Sequence, residues 1–132
     1  MDHVVFDEWN EEKQRIDGKT HKPPYVSVGD IWWMSIGRNV GAEIYGKNST
    51  FARPAVILKK LTYDFYLVAP TSTTVRTGTW YVPIKQNGVS MTVCLNQIRT
   101  MDYRRLQSKL GSIDDEENRR IRAGFLNVYA KQ

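Results

Sequence analysis

The sequence contains five short runs of β-prone, mostly apolar residues, and turn-forming residues separate or flank them. The runs occupy residues 30–36, 55–61, 65–69, 79–84 and 92–96. The turn signals are Gly37, Asp64, Gly78 and the Asn87-Gly88 pair, and Asn-Gly is a strong signal for a two-residue hairpin turn. Five short consecutive strands are typical of a small barrel or a strongly bent sheet.

A polar, glycine-containing loop, residues 38–52, joins the first two runs. It includes Asn39, Glu43, Lys47 and Asn48. Binding residues are often found on loops held by a rigid scaffold, because the scaffold fixes the position while the loop adapts. We therefore expect the functional site at this loop.

Length and charge limit the class of protein. With 132 residues and 41% apolar content, the chain fits one domain with a real core. Its 19 Lys and Arg against 14 Asp and Glu give a formal net charge of +5, which favours a polyanionic partner and, among those, nucleic acid.

The residues that bind metals or form disulfides are few. Cys94 is the single cysteine and is expected to be a small buried residue, since it lies in an apolar run. With only His3 and His21 besides, the sequence has no Cys/His metal spacing. It has neither a signal peptide nor an apolar span of about 20 residues. We expect a cytoplasmic protein without a metal or cofactor and without a membrane contact.

The first 25 residues are predicted to be an extension of the core. Residues 6–17 are predicted to form a short amphipathic helix that Gly18 can end. Charged residues occupy the remaining face, and the residues spaced three or four apart on the first face are Phe6, Trp9, Lys13 and Ile16. The adjacent Pro23 and Pro24 exclude a helix from the following linker. The predicted division is residues 1–25 as a helical extension and linker, and residues 26–132 as the main domain.

The last third of the chain is predicted to be helical at its end. Asp102 can cap a short turn that follows it, and Ser112 with Asp115 approximates a capping box before a helix over residues 114–129. One face of that helix is apolar, with Ile121, Phe125, Leu126 and Tyr129. The predicted fold class is α+β, mainly β: a small barrel closed by a C-terminal helix, with an N-terminal helical extension.

Five short blocks, in order, resemble one known family. They are GDIWWMSIG, GAEIYGK, RPAVIL, APTSTT and NQIRTMDYRRLQSKLG. Together they resemble the PemK/MazF toxins of bacterial toxin-antitoxin modules. The resemblance implies an SH3-like barrel of the plasmid-toxin type, usually a homodimer, and a cognate antitoxin. It also implies a ribosome-independent endoribonuclease that cuts single-stranded RNA at a short sequence without a metal.

The resemblance assigns two catalytic positions. The arginine of the RP motif corresponds to Arg53, and the threonine before the Ser-Thr run corresponds to Thr71. Some members use a histidine and an Arg-x-Asp group instead, but this chain has Ala42, Cys94 and Asn96 at those positions. Only the Arg/Thr arrangement is therefore available here.

These residue types suit metal-free RNA cleavage, in which the ribose 2′-hydroxyl attacks the neighbouring phosphate. A guanidinium stays cationic and offers a planar set of donors to phosphate oxygens. A threonine hydroxyl adds a further donor. The alternatives are structural: Arg53 can cap a loop or pair with Glu43, and Thr71 can be a turn residue after Pro70.

Further residues are candidates for RNA binding. Cationic side chains suit phosphates, whereas amide groups suit base edges, and the family places substrate contacts in the first loop. The alternative for the charged members is an ordinary solvated loop. Trp32 and Trp33 are adjacent on a strand, so at most one of them faces a groove. The candidate set is Asn39, Glu43, Lys47, Ser72, Arg76, Asn96 and Gln97.

Two questions remain open from the sequence. The same barrel can be a binding module without catalysis that acts on a protein target such as gyrase, because a fold does not fix its chemistry. The N-terminal helix can pack on the barrel, extend a dimer, or lie over the RNA groove as a built-in restraint.

Overall fold

The computed structural model describes residues 3–130, and its first element is the helix α1, His3–Asp17. The helix predicted over residues 6–17 is confirmed and begins three residues earlier. Trp9 and Ile16 are buried on its inner face, while Lys13 is exposed. The helix ends directly before Gly18, whose N–H donates to the Gln14 carbonyl at 3.1 Å. Residues 19–25 form no helix or strand, as predicted.

Seven strands and a second helix follow, and the five predicted runs correspond to the first five strands. The sequence did not predict β6 and β7. Strand β6 has only four residues, and most of β7 is exposed, so neither has the apolar alternation by which a strand is recognised. The strands are β1 Asp30–Ser35, β2 Ala52–Thr62, β3 Phe65–Ser72, β4 Tyr81–Gln86, β5 Val89–Cys94, β6 Arg99–Asp102 and β7 Leu106–Ser112, and the helix is α2 Asp115–Tyr129.

All strand pairs are antiparallel, in the order β4-β5-β3-β2-β1-β7. The first half of β3 also pairs with β6, from Phe65 to Val68, whereas its end pairs with β5 at Thr71 and Ser72. A single strand thus joins two parts of a strongly bent sheet. The predicted class, mainly β with a helix at each end, is confirmed, but backbone pairing does not close the sheet. One side-chain bond spans the gap, from Gln86 Nε2 to the Ser112 carbonyl at 2.9 Å.

The predicted hairpin signal at Asn87-Gly88 is confirmed. Both residues have positive φ, 51° and 78°, as a type I′ turn between β4 and β5 requires. Asp102 also caps a short 3-10 turn, Tyr103–Arg105, by accepting a hydrogen bond from the Arg104 N–H at 2.9 Å.

The buried apolar residues form three clusters. One includes Trp32, Met34, Tyr66 and Met101. A second lies between the sheet and α2 and includes Ile31, Val56, Val93 and Ile121. The third joins α1 to the first loop through Trp9, Ile16 and Phe51. The extension is therefore packed on the main domain.

Helix α2 covers the free edge of β4. Glu117 Oε2 accepts from the Lys85 N–H at 2.8 Å, and Arg120 Nη1 donates to the Pro83 carbonyl at 2.6 Å. These bonds satisfy backbone groups that an edge strand leaves unpaired. Within residues 3–130, neither α1 nor α2 has the length and apolar character needed to span a membrane.

Two expectations for α2 were wrong in detail. The capping box is formed by Asp114 and Glu117 rather than by Ser112 and Asp115, because the chain turns into the helix only after Ile113. Of the predicted apolar face, Ile121 is buried, but Leu126 is 58% exposed.

Candidate functional site

A groove of about 480 Å³ lies between the first loop and the ends of β3 and β5, and we call it the main groove. Most of the residues expected at the site line it: Glu43, Lys47, Arg53, Ser72, Arg76, Asn96 and Gln97. An adjoining side groove of about 390 Å³ shares Lys47 and Arg53 and is also lined by Thr71 and Trp33. The tertiary fold thus brings the two predicted catalytic residues to two connected grooves.

Arg53 lies near the start of β2, where its register partner on β1 is Met34. Its side chain is held by backbone carbonyls: Nε donates to Tyr45, and Nη1 donates to Thr71 at 3.4 Å. Burial lowers the pKa of Arg53 below its ordinary value, and the nearby Arg76 acts in the same direction. An arginine with a lowered pKa is still cationic at neutral pH.

The cations at the grooves have no carboxylate partner among residues 3–130. In the part of the chain that the structure describes, the groove residues Lys47, Arg53 and Arg76 form no ion pair, and neither does Arg38 beside Tyr45. The Glu43 carboxylate instead accepts from the Val40 N–H at 2.9 Å. The alternative in which Arg53 pairs with Glu43 is therefore not observed, and the positive charge is available to an anion.

Thr71 is almost fully buried, and its hydroxyl has a partner within the protein. The hydroxyl donates to the Pro54 carbonyl at 2.8 Å. Since a hydroxyl has one hydrogen, Thr71 can donate to a phosphate only after rotating away from Pro54, although its lone pairs remain able to accept.

Two of the predicted base-reading amides hold the loop. Asn39 lines neither groove and donates to the carbonyls of Ile36 and Ile44, at 3.3 and 2.6 Å. Gln97 lines the main groove, but it accepts from the Ile44 N–H at 3.1 Å and donates to the Ala42 carbonyl at 3.1 Å. Asn39 is therefore not brought to the predicted site, because both of its amide hydrogens satisfy loop carbonyls.

Sequence reasoning did not identify two tyrosines that line the main groove. The Tyr45 ring lies beside Arg38, whose guanidinium carbon is 4.4 Å from the ring centroid. The guanidinium carbon of Arg76 is 5.9 Å from the centroid of the Tyr81 ring. Asn96 Nδ2 lies 3.4 Å from the Tyr81 hydroxyl. The two tyrosines belong to different segments, so no spacing rule connects them in the sequence.

The three positions at which the resemblance places an alternative catalytic group also line the main groove. They are Ala42, Cys94 and Asn96. Burial raises the pKa of the Cys94 thiol, although Arg76 and Arg53 partly oppose this shift. Among residues 3–130, no cluster of three or more His, Cys, Asp or Glu side chains is placed to hold a metal ion.

Several solved structures have the same fold. MazF from Deinococcus radiodurans superposes with a TM-score of 0.67 at 21% identity, over 82% of this chain and 100% of that one. An endoribonuclease in complex with its cognate antitoxin, from a mycobacterial species, superposes with a TM-score of 0.65 at 16% identity, over 82% of this chain and 98% of that one. The Mycobacterium tuberculosis toxin MazF-mt6 has a TM-score of 0.60 at 18% identity, over 78% of this chain and 98% of that one.

The sequence comparison with curated proteins gave no match. A family model does match: the one for the PemK-like, MazF-like toxin of type II toxin-antitoxin systems fits residues 27–129. That range contains every strand and α2, together with both grooves. The chain therefore belongs to the PemK-like, MazF-like family of type II toxin-antitoxin toxins.

Proposed function

We propose that this protein is a toxin that cleaves single-stranded RNA at a short sequence, without a ribosome or a metal ion. The observation that supports this most strongly is Arg53, a cation without a carboxylate partner among residues 3–130, which backbone carbonyls hold at both grooves. A fixed guanidinium suits a phosphate whose negative charge increases during reaction.

In the proposed reaction, the ribose 2′-oxygen attacks the adjacent phosphorus, and the bond from phosphorus to the 5′-oxygen breaks. The 2′-hydroxyl loses its proton, and the departing 5′-oxygen gains one. The products are a cyclic phosphate and a 5′-hydroxyl, and no water is consumed. Arg53 would stabilise the phosphorane, and Thr71 would assist after its hydroxyl turns from Pro54 to a phosphate oxygen.

The remaining groove residues would bind the strand. Lys47 and Arg76 suit phosphates, while Ser72 and Asn96 offer polar groups to sugars or base edges. Glu43 can accept from base amino groups. Gln97 and Asn39 would act indirectly, because they fix the backbone of the loop.

Tyr45 and Tyr81 add aromatic surface for stacking. A base stacked on an aromatic ring contributes about 1 to 3 kcal/mol, and a neighbouring guanidinium adds a cation–π contact. Tyr45 is 41% exposed, so part of its ring can be covered by a base. Single-stranded RNA, whose bases are free to stack, suits this arrangement better than a duplex does.

The proposed partners follow from charge and family. A net charge of +5, with unpaired cations at the grooves, suits an acidic, flexible antitoxin segment that competes with RNA. We also propose a homodimer and a cytoplasmic location, where RNA substrates are found. The family match, which begins at residue 27, supports a division into an extension, 1–25, and a toxin domain, 26–132.

The test compares the wild type with Arg53→Ala and Arg119→Ala on a long mixed-sequence RNA in EDTA. Arg119 is an exposed arginine on α2, so its removal changes the net charge equally but leaves the grooves intact. We expect Arg53→Ala to reduce cleavage by about 10²- to 10³-fold. Arg119→Ala should retain it, and the cut ends should be cyclic phosphate and 5′-hydroxyl. Equal cleavage by Arg53→Ala would remove the proposed mechanism.

A binding module without catalysis is the alternative function. The engaged hydroxyl of Thr71 favours it, because the second predicted donor is not free. Inertness of the wild type toward every RNA, combined with binding to a protein target such as gyrase, would support this alternative.

A further inference from the structure

The first loop is closed at its base by three residues, Gly37, Gly46 and Phe51, which we call the loop neck. The Gly46 N–H donates to the Gly37 carbonyl at 2.7 Å. The Phe51 carbonyl accepts from the N–H groups of Ile36 and Gly37, at 3.0 and 3.1 Å. Three hydrogen bonds thus fix the point where the loop leaves β1 and returns to β2.

The neck is tight and strained. A Cβ atom on Gly46 would lie 1.6 Å from the Phe51 carbonyl oxygen, so only glycine fits. Phe51 has φ of 55°, a left-handed conformation that a residue with a side chain retains only where its surroundings hold it. The Lys47–Ala52 backbone pair supports the neck from within the loop, and a contact from outside the loop adds to that support.

Trp9 of α1 makes this contact from outside the loop. Its ring packs against Phe51 with centroids 5.4 Å apart, and both residues are buried. A Cβ atom on Gly37 would lie 2.5 Å from the Trp9 ring, so the indole rests directly on the backbone of the neck. Arg105 lies over the same ring, 5.7 Å from its centroid, and donates to the Ser35 carbonyl.

The neck is also connected to the catalytic candidate. Tyr45 directly precedes Gly46, and its carbonyl accepts the hydrogen bond from Arg53 Nε. A displacement of Gly46 would move the Tyr45 carbonyl and so release one of the two backbone contacts of Arg53. The contact sequence is Trp9, neck, Tyr45, Arg53.

Helix α1 lies outside the region that the family model matches, residues 27–129. None of the α1 residues lines the main or the side groove. We propose that α1 is an added support for the loop, and that Trp9 is a positioning residue that holds the neck and, through it, Arg53. This role is the opposite of a restraint over the groove, since loss of the contact should lower activity rather than raise it. The catalytic part of this proposal rests on the proposed function.

The test uses full-length Trp9→Ala and Trp9→Phe, with Ile121→Ala as the control. Ile121 is also buried, 1% exposed against 8% for Trp9, but it belongs to the cluster under α2, away from the neck. Amide hydrogen exchange at Gly37 and Gly46 reports on the neck without RNA. We expect Trp9→Ala to speed exchange at both amides by at least about tenfold, and Trp9→Phe to restore most of the protection. In Ile121→Ala, exchange at the two neck amides relative to exchange at the amides of β2 and β3 should be unchanged.

RNA cleavage gives the second measurement. A small displacement of a catalytic group costs up to about 10²-fold, so Trp9→Ala should lower kcat by about 10- to 100-fold with little change in KM. Trp9→Phe should recover most of kcat. The proposal would be overturned if Trp9→Ala left exchange at the neck amides unchanged. It would also be overturned if Ile121→Ala sped neck exchange, relative to the amides of β2 and β3, as much as Trp9→Ala does. If the wild type cleaves no RNA, the proposed function fails, while exchange still decides whether Trp9 holds the neck.

A double-substitution cycle tests the contact itself. Gly37→Ala places a methyl group in the Trp9 ring, and it also strains a residue with φ of 99°. The backbone strain is the same whether Gly37→Ala is made in the wild type or in Trp9→Ala, so it cancels when the two effects are compared. Only the overlap with the Trp9 ring then contributes to the coupling between the two substitutions. Gly37→Ala should speed Gly46 exchange less in Trp9→Ala than in the wild type, and additive effects would contradict the contact. If Trp9→Ala does not fold, Trp9→Leu replaces it in both experiments.

Discussion

The Thr71 hydroxyl donates its hydrogen to the Pro54 carbonyl oxygen, 2.8 Å away, and Thr71 itself is only 1% exposed beside Arg53. The residue proposed as a phosphate donor therefore also connects β3 to β2. Its structural and catalytic contributions must be measured separately, because removal of the hydroxyl affects both.

Thr71→Val should lower the free energy of unfolding by about 1 to 3 kcal/mol, because the partly buried Pro54 carbonyl loses its donor. Thr71→Ser keeps the hydroxyl and should lose only about 1 kcal/mol for one methyl group. Urea unfolding measures the loss of stability. The value of kcat, at a temperature where all variants are folded, measures the contribution of the hydroxyl to catalysis. If both variants retain kcat, Thr71 has no part in the reaction.

Tyr81→Ala should weaken binding of an uncleavable 2′-O-methyl RNA by about 1 to 3 kcal/mol, because a stacking surface is lost. Tyr81→Phe keeps the ring and should bind within about twofold of the wild type. Fluorescence anisotropy at constant salt gives Kd. Tyr63→Ala is the control, since Tyr63 is 74% exposed and lines neither groove. An equal loss in Tyr63→Ala would mean that the effect is not specific to the groove.

Glu117→Ala should destabilise the fold by about 2 kcal/mol or more, because it removes both half of the capping box and the acceptor for the Lys85 N–H. Asp115→Ala, at an exposed position of the same helical turn, should change stability by less than about 0.5 kcal/mol. The comparison uses the midpoints of urea unfolding. Similar midpoints for the two variants would show that the edge of β4 does not depend on α2.

Stability should fall in acid partly through Asp30. Burial alone would raise the pKa of Asp30, but hydrogen bonds from Ser27, Trp32 and Lys109 lower it below its ordinary value. The unfolded chain then binds more protons, so the contribution is complete above the unfolded value near pH 4 and is lost as the pH falls through the folded value. Asp30→Asn should reduce the slope of stability against pH in that range. Urea unfolding from pH 2.5 to 6 tests this, and identical slopes would exclude Asp30 as a cause.

The loop illustrates how far local patterns extend. The amide side chains of Asn39 and Gln97 suit base edges by type, yet in the structure both bind backbone groups of the loop. An amide group serves either purpose, and only the positions of neighbouring carbonyls decide between them. Glu43 and Lys47 do line the main groove, because the loop that contains them lies between two strands whose register is fixed.

The sequence by itself determined the first five strands, both helices, the Asn87-Gly88 turn and the family. Each of these depends on periodicity, turn chemistry or short motifs within neighbouring residues. Only the tertiary structure decided that β6 pairs with β3, that Thr71 donates to Pro54, and that Trp9 rests on Gly37 and Phe51. These contacts join residues far apart in the chain, so they depend on how whole elements pack, and no local pattern encodes that.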